Sequence, residues 1–233
     1  MSVSTKIIAH RGIPPLEHEN TMNSFKRACE LKADMIEFDV RKTRDKQLVA
    51  FHDPTIIHNR TTYPISDVTF ENLQFIAKQQ GFEIPLIKDI FSSLHDLLHF
   101  DIELKEKDCE EEITNLIREY RTENSSIITS FLPSVVMNIQ KNWPHIHSGL
   151  LIGKETDLFT PVLSNCEYLC PSFDMYMSHN IFFEERTKQG KKNLIWTVDN
   201  PDSLKQLLTN HCVNGIITNR CDLAIELRNQ ISA

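Results

Sequence analysis

The chain has 233 residues, a formal net charge of -7, 40% hydrophobic residues and 24% charged residues. That length allows one large domain with a substantial core, and the composition is ordinary for a soluble globular protein. The negative balance, with no basic tract to offset it, argues against a general nucleic-acid binder, so an anionic substrate would need a local cluster of positive charge. The apolar run after Met1 is too short for the core of a signal peptide, and no segment approaches membrane-spanning length. Cys29, Cys109, Cys166, Cys170, Cys212 and Cys221 show neither framework nor zinc-knuckle spacing. Free thiols and a cytoplasmic location are the expectation.

Apolar, β-branched runs recur along the chain at 6–9, 35–40, 47–52, 100–104, 126–131, 148–152, 167–171, 193–198 and 214–218. Between them, amphipathic stretches at 22–32, 70–80, 89–98, 108–121, 133–142, 181–190 and 201–210 read as helices. Alternation of this kind implies a mainly parallel sheet. Nine runs are one too many for a closed barrel of eight. The exception is the pair 35–40 and 47–52, separated only by "RKTRDK", too short for a crossover helix, so these two form a hairpin. With Asp45-Lys46 as a two-residue turn, Arg44 faces Gln47 and Asp39 faces His52. The expectation is a single domain over 1–233, without linker or repeat.

"AHRGIPPLEHENT" follows the first run, placing His10 and Arg11 at the carboxyl end of a strand, with Asn20 or Thr21 capping the next helix. In α/β folds that end carries the chemistry, although this segment alone fits a strand-capping histidine equally well. "IEFDV" holds Glu37 and Asp39 two apart, hence on one face of a strand. Two carboxylates on one face of an apolar strand are tolerated when a cation sits between them; a solvated edge strand is the alternative. "FDIELKEK" adds Asp101, Glu103 and Lys105 on the polar side of a second strand. Glu37, Asp39 and Glu103 could form an oxygen-rich site suited to Mg2+ or Ca2+ rather than zinc. Beside them His10, Arg11, His52 and Lys105 would complete a center for phosphate chemistry.

Five blocks, "IIAHRG", "ENTMNSFKRA", "ADMIEFDVRKTRD", "LVAFHDPTI" and "DIELK", followed by "ITSF", "LIWTVDNPDSLKQLL" and "VNGIITNR", occur in order. Together they resemble the glycerophosphodiester phosphodiesterase family from about Lys6 to Asp222. The resemblance implies a (β/α)8 TIM barrel with an extra β-hairpin after the second strand. It also implies hydrolysis of diesters such as glycerophosphocholine or glycerophosphoethanolamine to glycerol 3-phosphate and an alcohol. By the same resemblance His10 and His52 are catalytic, Glu37, Asp39 and Glu103 are metal ligands, and Arg11 and Lys105 contact phosphate. Trp196 matches a family aromatic that lies near the glycerol side of the pocket. The family mechanism passes through a cyclic phosphate, with one histidine as base and the other as acid, exchanging roles in the second step.

Two positions depart from the usual pattern: "IKDI" at 87–90, at a helix start, and Asn219, where many relatives carry aspartate. The short stretch before "EIPLI" suggests an open pocket tolerant of varied alcohols. His58, His95, His99, His145, His147 and His179 have no partner pattern, and Cys166 and Cys170 read as core packing. "DCEEE" at 108–112 reads as the solvated start of a helix. A phospholipase D-like enzyme acting on lysophospholipids and releasing a cyclic phosphate is the enzymatic rival, kept open by Phe159, Phe173, Met175, Met177, Phe182 and Phe183. A binding protein without turnover is disfavoured because the whole polar set is present, and an aldolase barrel finds only Lys105 as its lysine. The partner expected is a small glycerophosphodiester, with no nucleic acid and no integral membrane segment; a homodimer is compatible with the sequence.

Overall fold

The computed structural model describes residues 5–232; residues 1–4 and 233, which the expected domain also takes in, lie outside the described residues. Eleven strands occur among the described residues. They are β1 (Lys6–His10), β2 (Met35–Lys42), β3 (Leu48–Ala50), β4 (Thr55–His58), β5 (Thr61–Pro64), β6 (His99–Leu104), β7 (Ser126–Ser130), β8 (His147–Ile152), β9 (Tyr168–Pro171), β10 (Lys192–Ile195) and β11 (Gly215–Thr218). Eight of them, all parallel, close into a ring in the order β1, β2, β6, β7, β8, β9, β10, β11 and back to β1. This is the (β/α)8 barrel expected from the sequence, and β3 is the extra strand, antiparallel to β2 outside the ring.

The hairpin register differs from the expected one by a single residue. Val40 pairs with Ala50, Arg41 with Val49 and Lys42 with Leu48. Three residues, Arg44 to Lys46, form the loop: the Thr43 amide donates to the Gln47 carbonyl at 2.9 Å, and Lys46 takes a left-handed φ of 63°. Such loops close with a residue in this region, commonly as a bulge. Asp39 therefore faces Phe51, whose amide donates to the Asp39 carbonyl at 3.0 Å. His52 lies beyond the ladder, where Arg41 Nε donates to its carbonyl at 2.8 Å.

The strands have two differently packed faces. Outward, Phe38 and Phe100 meet edge to face with centroids 5.7 Å apart, and Phe25 and Phe91 join them in the layer between barrel and helices. Truncating one such buried ring to alanine costs about 3–5 kcal/mol. Inward, Ile8, Met35, Ile127, Leu151, Cys170, Leu194 and Ile217 plug the barrel. One step toward the carboxyl ends of β2, β6 and β7 that filling becomes polar, with Glu37, Asp39, Asp101, Glu103 and Thr129 all buried. Cys166 and Cys170 are buried and free, as packing residues.

Helices form at all seven expected stretches, with Pro133–Asn142 matching both ends, while Phe173–Ser178 and Cys221–Ser232 are helices outside them. The expected solvated start at 108–112 is corrected at two residues: Cys109 is fully buried, and Glu110 is buried and accepts from Asn138 Nδ2 at 3.0 Å, because the first turn packs against the neighbouring helix. Among the described residues no helix is long and apolar enough to cross a membrane.

Candidate active site

His10 ends β1, and the chain turns at once through Arg11 (φ 55°) and Gly12 (φ 83°). The turn is held by Ser24 at the start of helix Met22–Glu30: its hydroxyl donates to the Arg11 carbonyl at 3.1 Å and accepts from the Ile13 amide at 2.6 Å. Thr21, not Asn20, is the side-chain cap of that helix. Asn20 instead takes φ 55° and points inward, its Nδ2 donating to Asp39 Oδ2 at 2.8 Å.

Register brings the carboxylates together. His10 pairs with Glu37, Glu37 with Asp101, Asp39 with Glu103, and Glu103 with Thr129. Paired residues on parallel strands share a face, so their side chains converge inside the barrel mouth. One oxygen each of Glu37, Asp39 and Glu103 lies within 4.8 Å of the others. Two positive groups enter the cluster: Arg11 Nε lies 3.1 Å from Asp39 Oδ2, and Lys105 Nζ lies 3.2 Å from Asp39 Oδ1 and 2.6 Å from Glu103 Oε1. The Arg11 amide also donates to Glu37 Oε2 at 2.9 Å.

Burial divides these acids. It pushes Glu37 well above the usual carboxylate range, helped by the charges of Asp39 and Glu103. Glu103 rises to about 7, through burial and then Asp39. Asp101 also rises to about 7 by burial, against the hydrogen bond from Thr129 Oγ1 at 2.8 Å. For Asp39 burial is outweighed by Lys105, Arg11 and the Asn20 hydrogen bond, which hold it below its ordinary value. Burial, with Arg11, lowers His10 and keeps it neutral.

The donor set fits a hard divalent cation. It is all oxygen, and buried Glu37 Oε1 lacks a hydrogen-bond partner among the described residues, a costly state that a cation relieves.

A cavity of about 160 Å3 gathers His10, Arg11, Glu37, His52, Glu103 and Lys105, and its opposite wall is apolar, with Phe131, Leu151 and Trp196. All the expected site residues except Asp39 line this space; Asp39 lies beneath it, fully buried. Trp196 is fixed by its Nε1 donating to the Cys170 carbonyl at 2.6 Å and by an edge-to-face contact with Phe131 at 5.3 Å. His52 reaches the cavity from the hairpin, its Nδ1 2.7 Å from Asp53 Oδ1. His95, His147 and His179 pair with Asp96, Glu167 and Glu155 away from it.

Several residues beyond the expected site set join the cluster. Asp101 was visible on the polar face of its strand, and alternation alone was enough to place it inside. Asn219 accepts from His10 Nδ1 at 2.8 Å and is itself held by Asp199, through Nδ2 at 2.7 Å and the amide at 2.8 Å. No local pattern announces Asp199, because it acts across two loops.

Comparison with known proteins agrees with this fold. The sequence model of the glycerophosphoryl diester phosphodiesterase family matches residues 10–223. A glycerophosphodiester phosphodiesterase of Caldanaerobacter subterraneus subsp. tengcongensis is 32% identical, over 97% of this chain and 98% of its own length. In fold, the chain is similar to a glycerophosphodiester phosphodiesterase from Parabacteroides distasonis, with a TM-score of 0.85 at 22% identity and full coverage of both chains. An Oleispira antarctica phosphodiesterase, solved in complex with the product sn-glycerol-3-phosphate, matches with a TM-score of 0.81 at 19% identity, covering 99% of this chain and 98% of that one. The family pattern spans the barrel from His10 to the helix after β11, and the chain belongs to the glycerophosphoryl diester phosphodiesterase family of phosphoric diester hydrolases.

Proposed function

We propose that the protein hydrolyses glycerophosphodiesters, such as glycerophosphocholine or glycerophosphoethanolamine, to glycerol 3-phosphate and the free alcohol. The observation that carries this reading is the trio Glu37, Asp39 and Glu103, with Glu37 Oε1 left without a partner, between two histidines and two basic groups. The trio would hold a divalent cation, Mg2+ or Ca2+. When bound, such an ion supplies positive charge for a phosphoryl oxygen and lowers the pKa of a coordinated hydroxyl.

The remaining chemistry belongs to the chain. Arg11 and Lys105 stabilise charge on the non-bridging phosphate oxygens. The Asp199 carboxylate accepts only, so Asn219 gives it Nδ2 and turns Oδ1 toward His10. His10 Nδ1 must then carry the proton, leaving Nε2 bare as a base. His10 takes the proton of the glycerol 2-hydroxyl as that oxygen attacks phosphorus. The bond from phosphorus to the alcohol oxygen breaks, and His52, oriented by Asp53, gives the departing oxygen a proton. In the second step His52 takes a proton from water as the water oxygen attacks the cyclic phosphate. His10 returns its proton to the glycerol oxygen, and both rings regain their starting states. Phosphorus NMR during turnover tests this sequence: a transient cyclic glycerophosphate ahead of glycerol 3-phosphate is expected. Glycerol 3-phosphate from the first turnover, with solvent oxygen incorporated and no cyclic species in rapid-quench samples, would contradict it.

A second reading keeps this site but enlarges the substrate. Phe131, Phe159, Met177 and Ile181, exposed by 43%, 83%, 40% and 72%, all follow the carboxyl ends of β7, β8 and β9. The Glu155–His179 pair at 3.3 Å links two of these segments. Such a rim would suit a lysophospholipid chain, and comparing turnover of acylated and deacylated substrates separates the two readings.

A further inference from the structure

We propose that the groove on the far side of His52 receives the leaving alcohol and selects a small cationic amino alcohol, of the choline or ethanolamine kind. The inference rests on the diesterase reading above and names the substrate class of that site. The catalytic cavity, at about 160 Å3, is below the roughly 300–1,000 Å3 usual for small-molecule sites. It has room for the phosphate and the glycerol, so the other ester arm must lie outside it. His52 is the wall it shares with a second cavity of about 540 Å3 between the β1 loop and the β4–β5 hairpin. A ring that protonates the departing oxygen faces the group that departs, and that group therefore projects along this groove.

The groove's chemistry is opposite to that of the phosphate site. Glu17, Glu19 and Asp53 line it, and no lysine or arginine is among its lining residues. Glu19 is spoken for by Arg11 at 3.1 Å and Asp53 by His52 at 2.7 Å, whereas Glu17 makes no ion pair among the described residues. Phe51 and Phe82 add aromatic faces, and His18 stacks on Phe82 with centroids 3.8 Å apart and planes 10° from parallel. Carboxylate with aromatic rings is the pairing that holds ammonium groups, since the ring faces attract a cation without removing it from contact with water. An anionic arm would be repelled there, and a neutral one would find no charge partner. The openness to varied alcohols suggested by the short insertion is thereby narrowed to one charge class.

The test compares glycerophosphocholine with its 3,3-dimethylbutyl counterpart, which has the same shape and no charge, and uses glycerophosphoglycerol as a small neutral reference. Wild-type kcat/KM is expected to favour the choline ester over its isostere by about tenfold. Glu17→Gln is expected to shrink that ratio severalfold, and Glu17→Lys to abolish it, with the choline ester losing more turnover than glycerophosphoglycerol in both. A wild-type ratio near one would overturn the inference, as would a tenfold ratio that neither variant moves. Absence of turnover on all three esters would instead contradict the diesterase reading, and the inference would fall with it.

Discussion

Asn219 Oδ1 lies 2.8 Å from His10 Nδ1, and Asp199 holds the same amide from behind through Nδ2 at 2.7 Å. An amide between a carboxylate and an imidazole has one orientation, so this contact sets the tautomer of the ring as well as its position. An uncharged acceptor also leaves His10 neutral, where a carboxylate would favour the imidazolium. In the proposed mechanism, asparagine at this position therefore keeps His10 in the form that acts as base.

Removing that amide is expected to damage catalysis more than binding. Asn219→Ala should lower kcat by about 10- to 100-fold, the usual cost of losing an orienting partner, with KM little changed. Steady-state kinetics on glycerophosphocholine checks this, and an unchanged kcat would remove Asn219 from the mechanism.

Glu37→Gln and Glu103→Gln should each weaken binding of Mg2+ or Ca2+ by more than about a hundredfold while the barrel stays folded. Calorimetric titration with each cation, beside circular dichroism, reads both. Equal affinity in wild type and variants would place the cation elsewhere.

Asp101 makes the metal-free protein sensitive to pH. Its carboxyl rises from 3.8 to about 7 on folding, so between those values the folded state binds the extra proton. Stability is then fullest below about pH 4 for this group and is lost as pH rises through 7. Asp101→Asn removes the titration and can still accept from Thr129. In chelator the variant should exceed wild type by a few kcal/mol at pH 8, about 2–4, and by much less at pH 5. Thermal unfolding at the two values checks the sign, and a gap that widens toward low pH would refute it.

Gly12 is the one residue of its turn that tolerates no side chain. A Cβ there would overlap Ser24 Oγ and come 2.7 Å from the Ser24 carbonyl carbon, at a φ of 83°. Gly12→Ala should cost at least about 2 kcal/mol, a fall in Tm of about 5 °C or more, and displace His10 and Arg11 from the carboxylates. A variant with wild-type Tm and activity would show that the turn can yield.

Most of the barrel was legible because its strands are near-continuous apolar runs and most of its helices carry an amphipathic stripe, Asn180–Lys188 being an exception. The β4–β5 hairpin was not: "TIIHNRTTY" lacks alternation, and its turn uses Asn59 and Arg60, both at positive φ (49° and 64°), where Asn-Gly is the usual signal. The short helix Phe173–Ser178 escaped for want of two full turns of pattern, and the last helix, Cys221–Ser232, also lay outside the expected stretches. Glu37, Asp39 and Glu103 could be paired from alternation alone, whereas His52 was placed beside them through a register one residue out. It still reaches the cavity because the chain leaves the ladder just before it. Asn20, Asp199 and the groove residues depend on loop paths that no local pattern encodes.

The measurement that bears most directly on the central claim is release of glycerol 3-phosphate from glycerophosphocholine, with Mg2+, with Ca2+ and with chelator. His10→Ala and Glu37→Gln run beside the wild type. Cation-dependent release that chelator and both substitutions abolish is expected. No release by folded wild-type protein with either cation, or release that persists in both variants, would contradict the assignment of this cluster as a diesterase center.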